Sequence, residues 1–265
     1  MTQPLSLDHA RIYDLAQAME QGMPQSPNHP PFRMALARRH GDAYRPDGGS
    51  SANEMIVTGG HVGTHLDALC HVSHGGRLHG DLDAYEAQRG GRFSSLGIDT
   101  VAPIVGRGIL LDVATHLGVD VLPGGYPVTG DDLQMTVKAE GVEIRPGDSV
   151  LVRTGWSRYW GDPAAFVGLD SGVPGPDESA AHWLAGFGIR LAGSDTIAYE
   201  VIPPGVGHRD LPVHRVFLVE RGVHICEVMQ LEDLAADRCY EFSLVVAPLK
   251  IKGATGSPVR PVALL

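Results

Sequence analysis

Apolar residues fall in short blocks along the chain, separated by clusters of Gly, Pro, Asp and Ser. Gly108 to Val113, Ser149 to Arg153, Arg190 to Ala192, Val223 to Val228 and Tyr240 to Leu249 are each too short for an ordinary helix. They are rich in Val, Ile and Leu and bounded by turn residues, so they predict strands, the last being the strongest. Met55 to Thr58 predicts another, and residues 11–20 fit a strand or a short helix. Three stretches read as helices. Thr129 precedes Asp131 and Asp132, an N-cap followed by first-turn acids, and Leu133 and Val137 lie one turn apart before a stop at Gly141. Asp177 to Gly186 carries Ala180, Ala181 and Leu184 on one side, and Leu211 to Glu220 carries His214 and ends at Gly222. Alternating strands and helices predict an α/β fold, with some antiparallel strands towards the end.

The stretch from Gly22 to Phe32 breaks this rhythm. Pro24, Pro27, Pro30 and Pro31 keep it extended and out of a central sheet, so it is expected to be an arm lying on the surface or over a site, its own or a neighbour's. Residues 41–53 are polar and Gly-rich and predict a loop. The 265 residues suit a single domain, 1–265, with 1–50 partly an N-terminal arm. Net charge is −10 with scattered basic residues, which gives no footprint for nucleic acid. No apolar run approaches the ~20 residues that span a bilayer, so no membrane partner is expected. Met1 to Asp8 has no secretory pattern, and three cysteines cannot all pair within one chain. Together these predict a reduced, cytoplasmic protein.

The chemistry concentrates between His61 and His71. His61, His65, Asp67 and His71 all occupy odd positions within eleven residues. On a helix Asp67 would face away from His61 and His65 at ~100° per residue. On a flat strand, rising ~3.3 Å per residue, the two histidines would stand roughly 13 Å apart. Gly63 lies between them and permits a bend. The expectation is a strand kinked at Gly63 that delivers His61, His65 and Asp67 to one metal ion. Two imidazoles and a carboxylate suit zinc, manganese, iron or nickel and leave positions open for water and substrate. His71, beyond that set, is the candidate proton shuttle, with an ordinary histidine pKa near 6.5.

Other residues are weaker candidates. His74 and His79 flank Gly75-Gly76 and fit a pocket mouth, and His79 is carried as a substrate-binding candidate. Trp156 and Trp160 could line an aromatic pocket, with Trp156 the candidate contact. Cys70 is expected to point away from the ligand face and pack. Asp195 sits at a strand end, where turn chemistry is its expected use. Glu227 lies in an apolar strand, and a buried carboxylate needs a partner, which a metal would supply.

The pattern His-x-Gly-Thr-His-x-Asp-Ala-x-x-His resembles the signature of the metal-dependent cyclase-like hydrolases, which include bacterial kynurenine formamidase, isatin hydrolase and cyclic-imide hydrolases. Tyr13-Asp14-Leu15, Gly22-Met23-Pro24, Val152 to Trp156, His214, Glu227, Pro248-Leu249-Lys250 and Ser257 to Arg260 are similar to other parts of that family. The resemblance implies a mixed, β-barrel-like sheet surrounded by helices and one or two zinc or manganese ions. It also implies that His214 and Glu227 complete a second metal site bridged by Asp67, and that the protein is a homodimer or homotetramer. The implied reaction is hydrolysis of a C–N amide bond, in an arylformamide or a cyclic amide or imide, by metal-activated water. Leu69 stands where the kynurenine formamidases have proline, which leaves cyclic amide, imide and lactone hydrolysis open. A lyase or dehydratase using the same metal, and a non-catalytic metal- or small-molecule-binding protein, are the competing classes. No Gly-x-Ser-x-Gly elbow supports a serine hydrolase.

Overall fold

Residues 10–265 are described by a computed structural model; the Met1–Asp8 segment, expected to lack a secretory signal, lies outside them. The strands that matter are β1 (Ile12–Asp14), β2 (Arg33–Arg38), β3 (Asn53–Val57), β4 (His65–Asp67), β5 (Ile104–Asp112) and β6 (Ser149–Arg153). They continue with β7 (Leu191–Ser194), β8 (His224–Glu227), β9 (Glu241–Val246), β10 (Gly256–Pro258) and β11 (Val262–Leu264). Nine of them form one sheet, in the order β1-β11-β9-β5-β6-β7-β8-β4-β10, curled into a half-barrel. The middle run β5-β6-β7-β8 is parallel and every other pairing is antiparallel. The expected α/β fold with antiparallel strands late in the chain is what the sheet shows.

Strand alternation divides the core in two. Ile109, Leu111, Val150, Val152, Ala192 and Ile225 face the helices, where Leu133, Ala181, Leu184 and Phe217 cover them. Leu110, Leu151, Leu191, Cys226 and Leu66 face the other way and pack with Phe242, Leu244 and Met229. Gly193 allows that second layer to close, because a Cβ there would come within 2.6 Å of Leu151 and 2.7 Å of Met229.

The helices form where their caps demand. Helix α1 (Gly130–Glu140) begins with Thr129 and Asp132 in a reciprocal capping box and ends at Gly141, whose φ is 69°. Such a cap stabilises a helix by about 1 kcal/mol. Helix α2 (Glu178–Gly186) is capped by Asp177, whose side chain accepts from Ala180 N. Helix α3 (Pro212–His214) runs on into a π-helical stretch, Arg215–Arg221, and stops at Gly222, whose φ is 69°.

The proline-rich segment joins no sheet. Met23 and Phe32 are buried against Val62 of the histidine motif, so the arm packs on its own chain. Beyond it, β2 and β3 form a separate antiparallel hairpin closed by the Gly-rich loop, and all eleven of its strand residues are exposed. No helix among the described residues is long and apolar enough to cross a membrane.

Candidate metal centre

The histidine motif is not one kinked strand. Its extended part, β4, is only three residues long, with a turn on each side. Three residues rise only ~10 Å, so turns rather than pleat parity must bring His61 and His71 back to the strand. Gly63, with φ +67°, makes the first turn. The second is closed by the hydrogen bond His71 N to Ala68 O, 2.9 Å. The expected bend at Gly63 is present, and parity holds only for His65 and Asp67.

Strand register supplies the next ligand. Glu227 on β8 is directly opposite His65, and Ile225 is opposite Asp67. Residues two apart share a face, so His65, Asp67 and Glu227 converge on the helix side of the sheet. Cys226 and Leu66 turn away into the opposite core. His65 Nε2 lies 3.2 Å from Glu227 Oε2 and 3.6 Å from Asp67 Oδ1. His214, delivered by α3, places Nε2 3.1 Å from Glu227 Oε1 and 3.6 Å from Asp67 Oδ2. His61 Nδ1 is 2.7 Å from Asp67 Oδ1, and the His71 ring stacks on His61 at 3.8 Å between centroids. All six residues singled out for metal or proton chemistry thus meet in one place.

Three of the four imidazoles are held from behind. His65 Nδ1 donates to Gly63 O at 2.8 Å, and His61 Nε2 meets Thr255 Oγ1 at 2.8 Å. His214 Nδ1 meets Glu200 Oε1 at 2.6 Å. In His65 and His214 a fixed Nδ1 leaves Nε2 free as a ligand, the usual arrangement behind metal-binding histidines, whereas His61 is fixed at Nε2 and turns Nδ1 to the cluster. Gly256 is the floor under His61: a Cβ there would sit 2.5 Å from the ring. Strained backbone flanks the carboxylates, with Tyr199 before Glu200 and Val228 after Glu227 both at φ 57°. A β-branched residue at such a φ costs on the order of 1–3 kcal/mol and persists only where its surroundings enforce it.

The electrostatics are those of a site built for a cation. Burial pushes the Asp67 carboxyl up, but His71, His61 and His65 around it hold it well below the usual carboxylate range. Burial likewise raises Glu227, yet the His214 and His65 imidazoles beside it hold it at about 2. Burial lowers His65, and Glu227 and Asp67 override that to hold it at about 9; Glu200 and Glu227 likewise raise His214. Despite this, Asp67 Oδ2 and Glu227 Oε1 are buried without a hydrogen-bond partner. Two donor triplets, His61–Asp67–His71 and His65–Asp67–Glu227, each have their ligand atoms within 4.8 Å of one another and share Asp67. Metal bonds of ~2.1 Å separate neighbouring ligand atoms by ~3.0–3.4 Å, close to the 3.1–3.6 Å separations of the His65 and His214 Nε2 atoms from the carboxylates. The residues present fit a divalent ion. His71 departs from its expected pKa: burial pushes it down to about 3.

Two candidates are not at this site. Trp156 is 4% exposed, donates Nε1–H to Phe166 O at 2.8 Å, and packs with Phe166 and Val173 one layer behind the pocket wall. Its indole needs a buried acceptor and finds one in the core. His79 lies against the π-helical stretch, with Nδ1 2.9 Å from Val219 O and its ring over Gly222. Neither lines the pocket. Among the weaker candidates, Cys70 is packed in the core as expected, its thiol pushed up to about 12 by burial. Asp195 is fully buried and its carboxylate accepts from Thr154 N, Thr154 Oγ1 and Gly155 N, tying β6 to β7.

Other residues at the site escaped the sequence reading. Glu200 shows the signal that drew attention to Glu227, a carboxylate in an apolar run (Ile197 to Ile202). His29 stacks on His61 at 5.2 Å from the arm, and His208 lines the pocket from the loop before α3. No spacing rule connects either of them to the motif.

Comparison with known proteins shows the family. The family described as "Putative cyclase" matches residues 13–201. Isatin hydrolase of Roseibium aggregatum is 30% identical over 226 residues, covering 84% of this chain and 78% of that protein. Kynurenine formamidase of Geobacillus thermodenitrificans is 27% identical over 247 residues, covering 93% and 94%. A crystal structure described as a novel cyclase superposes with a TM-score of 0.86 at 28% identity, covering 97% of this chain and 89% of that one. With its half-barrel sheet and its histidine–carboxylate cluster, the chain belongs to the cyclase family whose members include isatin hydrolase and kynurenine formamidase.

Proposed function

We propose that this protein is a metal-dependent hydrolase of C–N amide bonds, acting on an arylformamide or a cyclic amide or imide. The observation that carries the reading is the pair of buried oxygens without a hydrogen-bond partner, Asp67 Oδ2 and Glu227 Oε1, both facing His214 Nε2. Zinc or manganese, one or two ions per chain, would be held by His61, His65, Asp67, His214 and Glu227. When bound, such an ion lowers the pKa of water and polarises a carbonyl.

The chain's own residues do the rest. His71 is kept neutral by burial, and its ring nitrogens have no hydrogen-bond partner among the described residues. A lone pair is therefore available to take a proton from the attacking water and return it to the leaving nitrogen. Glu200 fixes the His214 tautomer through Nδ1, and Gly63 O does the same for His65. The arm, through His29 and Ser26, covers the site and keeps bulk water out.

The working unit is a homodimer or homotetramer. The β2–β3 hairpin exposes Met34, Leu36, Met55, Ile56 and Val57, and an isolated two-stranded ribbon is marginal without something packed on it. Its compartment is the reducing cytoplasm, which suits three unpaired cysteines.

Metal content per chain, by elemental analysis of the wild type and His65→Ala, tests the reading. One or two equivalents in the wild type and none in the variant support it. A wild type that stays metal-free after reconstitution removes its basis. A screen with N-formylkynurenine, isatin and simple cyclic imides then selects the substrate.

A further inference from the structure

Val228 stands between the metal cluster and the core in a backbone conformation that its side chain resists. Its φ of 57° follows directly on Glu227, the last residue of β8. A β-branched residue keeps such an angle only where its neighbours enforce it. Here three hydrogen bonds do so. As far as Glu227, β8 is paired with β4. Beyond it, Val228 N donates to Thr196 O and Met229 N to Ser194 O, both at 3.0 Å, so the chain leaves β4 and follows the end of β7. The Val228 carbonyl still points back towards β4, and the Thr64 hydroxyl receives it at 2.6 Å.

The acceptor fixes the direction of that bond. A carbonyl oxygen cannot donate, so the hydrogen is that of Thr64 Oγ1. The same oxygen accepts from Gln17 N at 2.8 Å. Thr64 and Val228 are both buried, so loss of the hydroxyl leaves a carbonyl and an N–H without partners.

Relaxing Val228 to a negative φ must swing one of the two chain directions that leave it. Downstream, Met229 is anchored by its N–H and packed in the core. Upstream, the Glu227 carboxylate accepts from no main-chain N–H and no hydroxyl among the described residues. It is faced by the imidazoles of His65 and His214 alone. The movement therefore falls on Glu227. We infer that Thr64 is a positioning residue, whose hydroxyl holds Val228 in the left-handed conformation and thereby keeps the Glu227 carboxylate in the metal centre. This rests on the metal-dependent reading above and names what holds its carboxylate in place.

Zinc affinity, measured by competition with a chelator and set beside the melting temperature of the metal-free protein, tests it. Thr64→Val keeps the shape and removes the hydroxyl, and should bind zinc ~10–100-fold more weakly. Thr64→Ser keeps the hydroxyl and should bind as the wild type does. Glycine adopts a φ near 57° without steric strain. Adding Val228→Gly to Thr64→Val should therefore restore most of the zinc affinity, while lowering the melting temperature further because a buried side chain is lost. A hydroxyl that only stabilised the fold would make affinity and melting temperature fall together. Should Thr64→Val not fold by itself, the double variant must still fold and bind. Unchanged affinity in Thr64→Val, a loss in Thr64→Ser as large as in Thr64→Val, or a double variant that binds no better than Thr64→Val overturns the inference. A wild type that takes up no zinc overturns it together with the metal-dependent reading. A zinc-loaded wild type that opens no amide leaves Thr64 in its role and removes the hydrolase reading alone.

Discussion

Glu200 holds His214 by ring and main chain together. Its carboxylate lies 2.6 Å from His214 Nδ1 and also accepts the His214 N–H at 2.9 Å. The Val213 N–H, 3.0 Å away, completes the grip, so the first turn of α3 is fixed by the same group that sets the tautomer. Glu200 is fully buried, and among the described residues the one ionisable side chain in hydrogen-bond reach of it is that imidazole.

Glu200→Gln keeps the shape and removes the charge. An amide can accept at Nδ1 with one atom only, and it no longer favours the charge distribution of a metal-bound imidazole. Metal affinity should fall by ~10–100-fold, the usual consequence of losing such a partner, with the fold intact by circular dichroism. Competition with a chelator measures it. Unchanged affinity would show that Glu200 supports only the helix turn.

His71→Ala separates binding from chemistry. The ring stacks on His61, and the second donor triplet, His65–Asp67–Glu227, does not include it, so that triplet survives its loss. Metal content should be unchanged while turnover falls by ~10²–10⁴. A variant that keeps full activity means another group moves the proton. One that loses its metal means His71 is a ligand.

The contrast between what the sequence disclosed and what it hid follows from the range of the interactions. Helix α1 was legible to the residue, because a Thr–Asp capping box and a Gly stop act within one turn. The parallel strands were legible because both of their faces are buried and the runs are continuously apolar. The β2 strand was not, because a fully exposed ribbon carries no alternation of buried positions. Within the site, His61 to His71 announced themselves by density. Glu227 needed the argument that a buried carboxylate has a partner, and Glu200 would have yielded to the same argument. Trp156 and His79 lie away from the metal cluster because their nearest partners, Phe166 O and Val219 O, come from elsewhere in the tertiary structure. His29 and His208 reach the pocket from two proline-rich segments whose paths no local rule predicts.

Gly256 is the next position where a small change should have a large effect. It pairs with Asp67 across the β10–β4 ladder, and a Cβ would meet His61 Cε1 at 2.5 Å and Nδ1 at 2.9 Å. The ring is wedged between that backbone and His71, so it cannot retreat without leaving Asp67. Gly256→Ala should destabilise the fold by about 1–3 kcal/mol and weaken metal binding. Gly161→Ala is the control, since nothing lies within 4 Å of its Cβ position. Thermal melts of both variants with and without metal would decide, and equal melting temperatures would mean that the His61 ring has room to move.

Glu140, far from the metal cluster, should make stability depend on pH. Its Oε1 accepts from Asp112 N at 2.8 Å, while Oε2 is buried without a partner. Burial pushes the carboxyl up to about 8, and the Asp112 charge adds to this against the opposing hydrogen bond. It also closes the C-terminal turn of α1, where a negative charge is unfavourable. In the unfolded chain the group titrates near its ordinary value of 4.5. Between about pH 4.5 and pH 8 the native state therefore holds a proton that the unfolded state has released, and stability falls as pH rises through that window. Glu140→Gln removes the titration while keeping the acceptor for Asp112 N. Its advantage over wild type should grow by about 2 kcal/mol from pH 5 to pH 8, a figure that allows for the partial exposure of the side chain. Urea denaturation of the two proteins at both pH values measures the difference directly. An advantage that stays constant between pH 5 and pH 8 would mean that Glu140 is already ionised in the native state at the lower pH, and that Oε2 finds water.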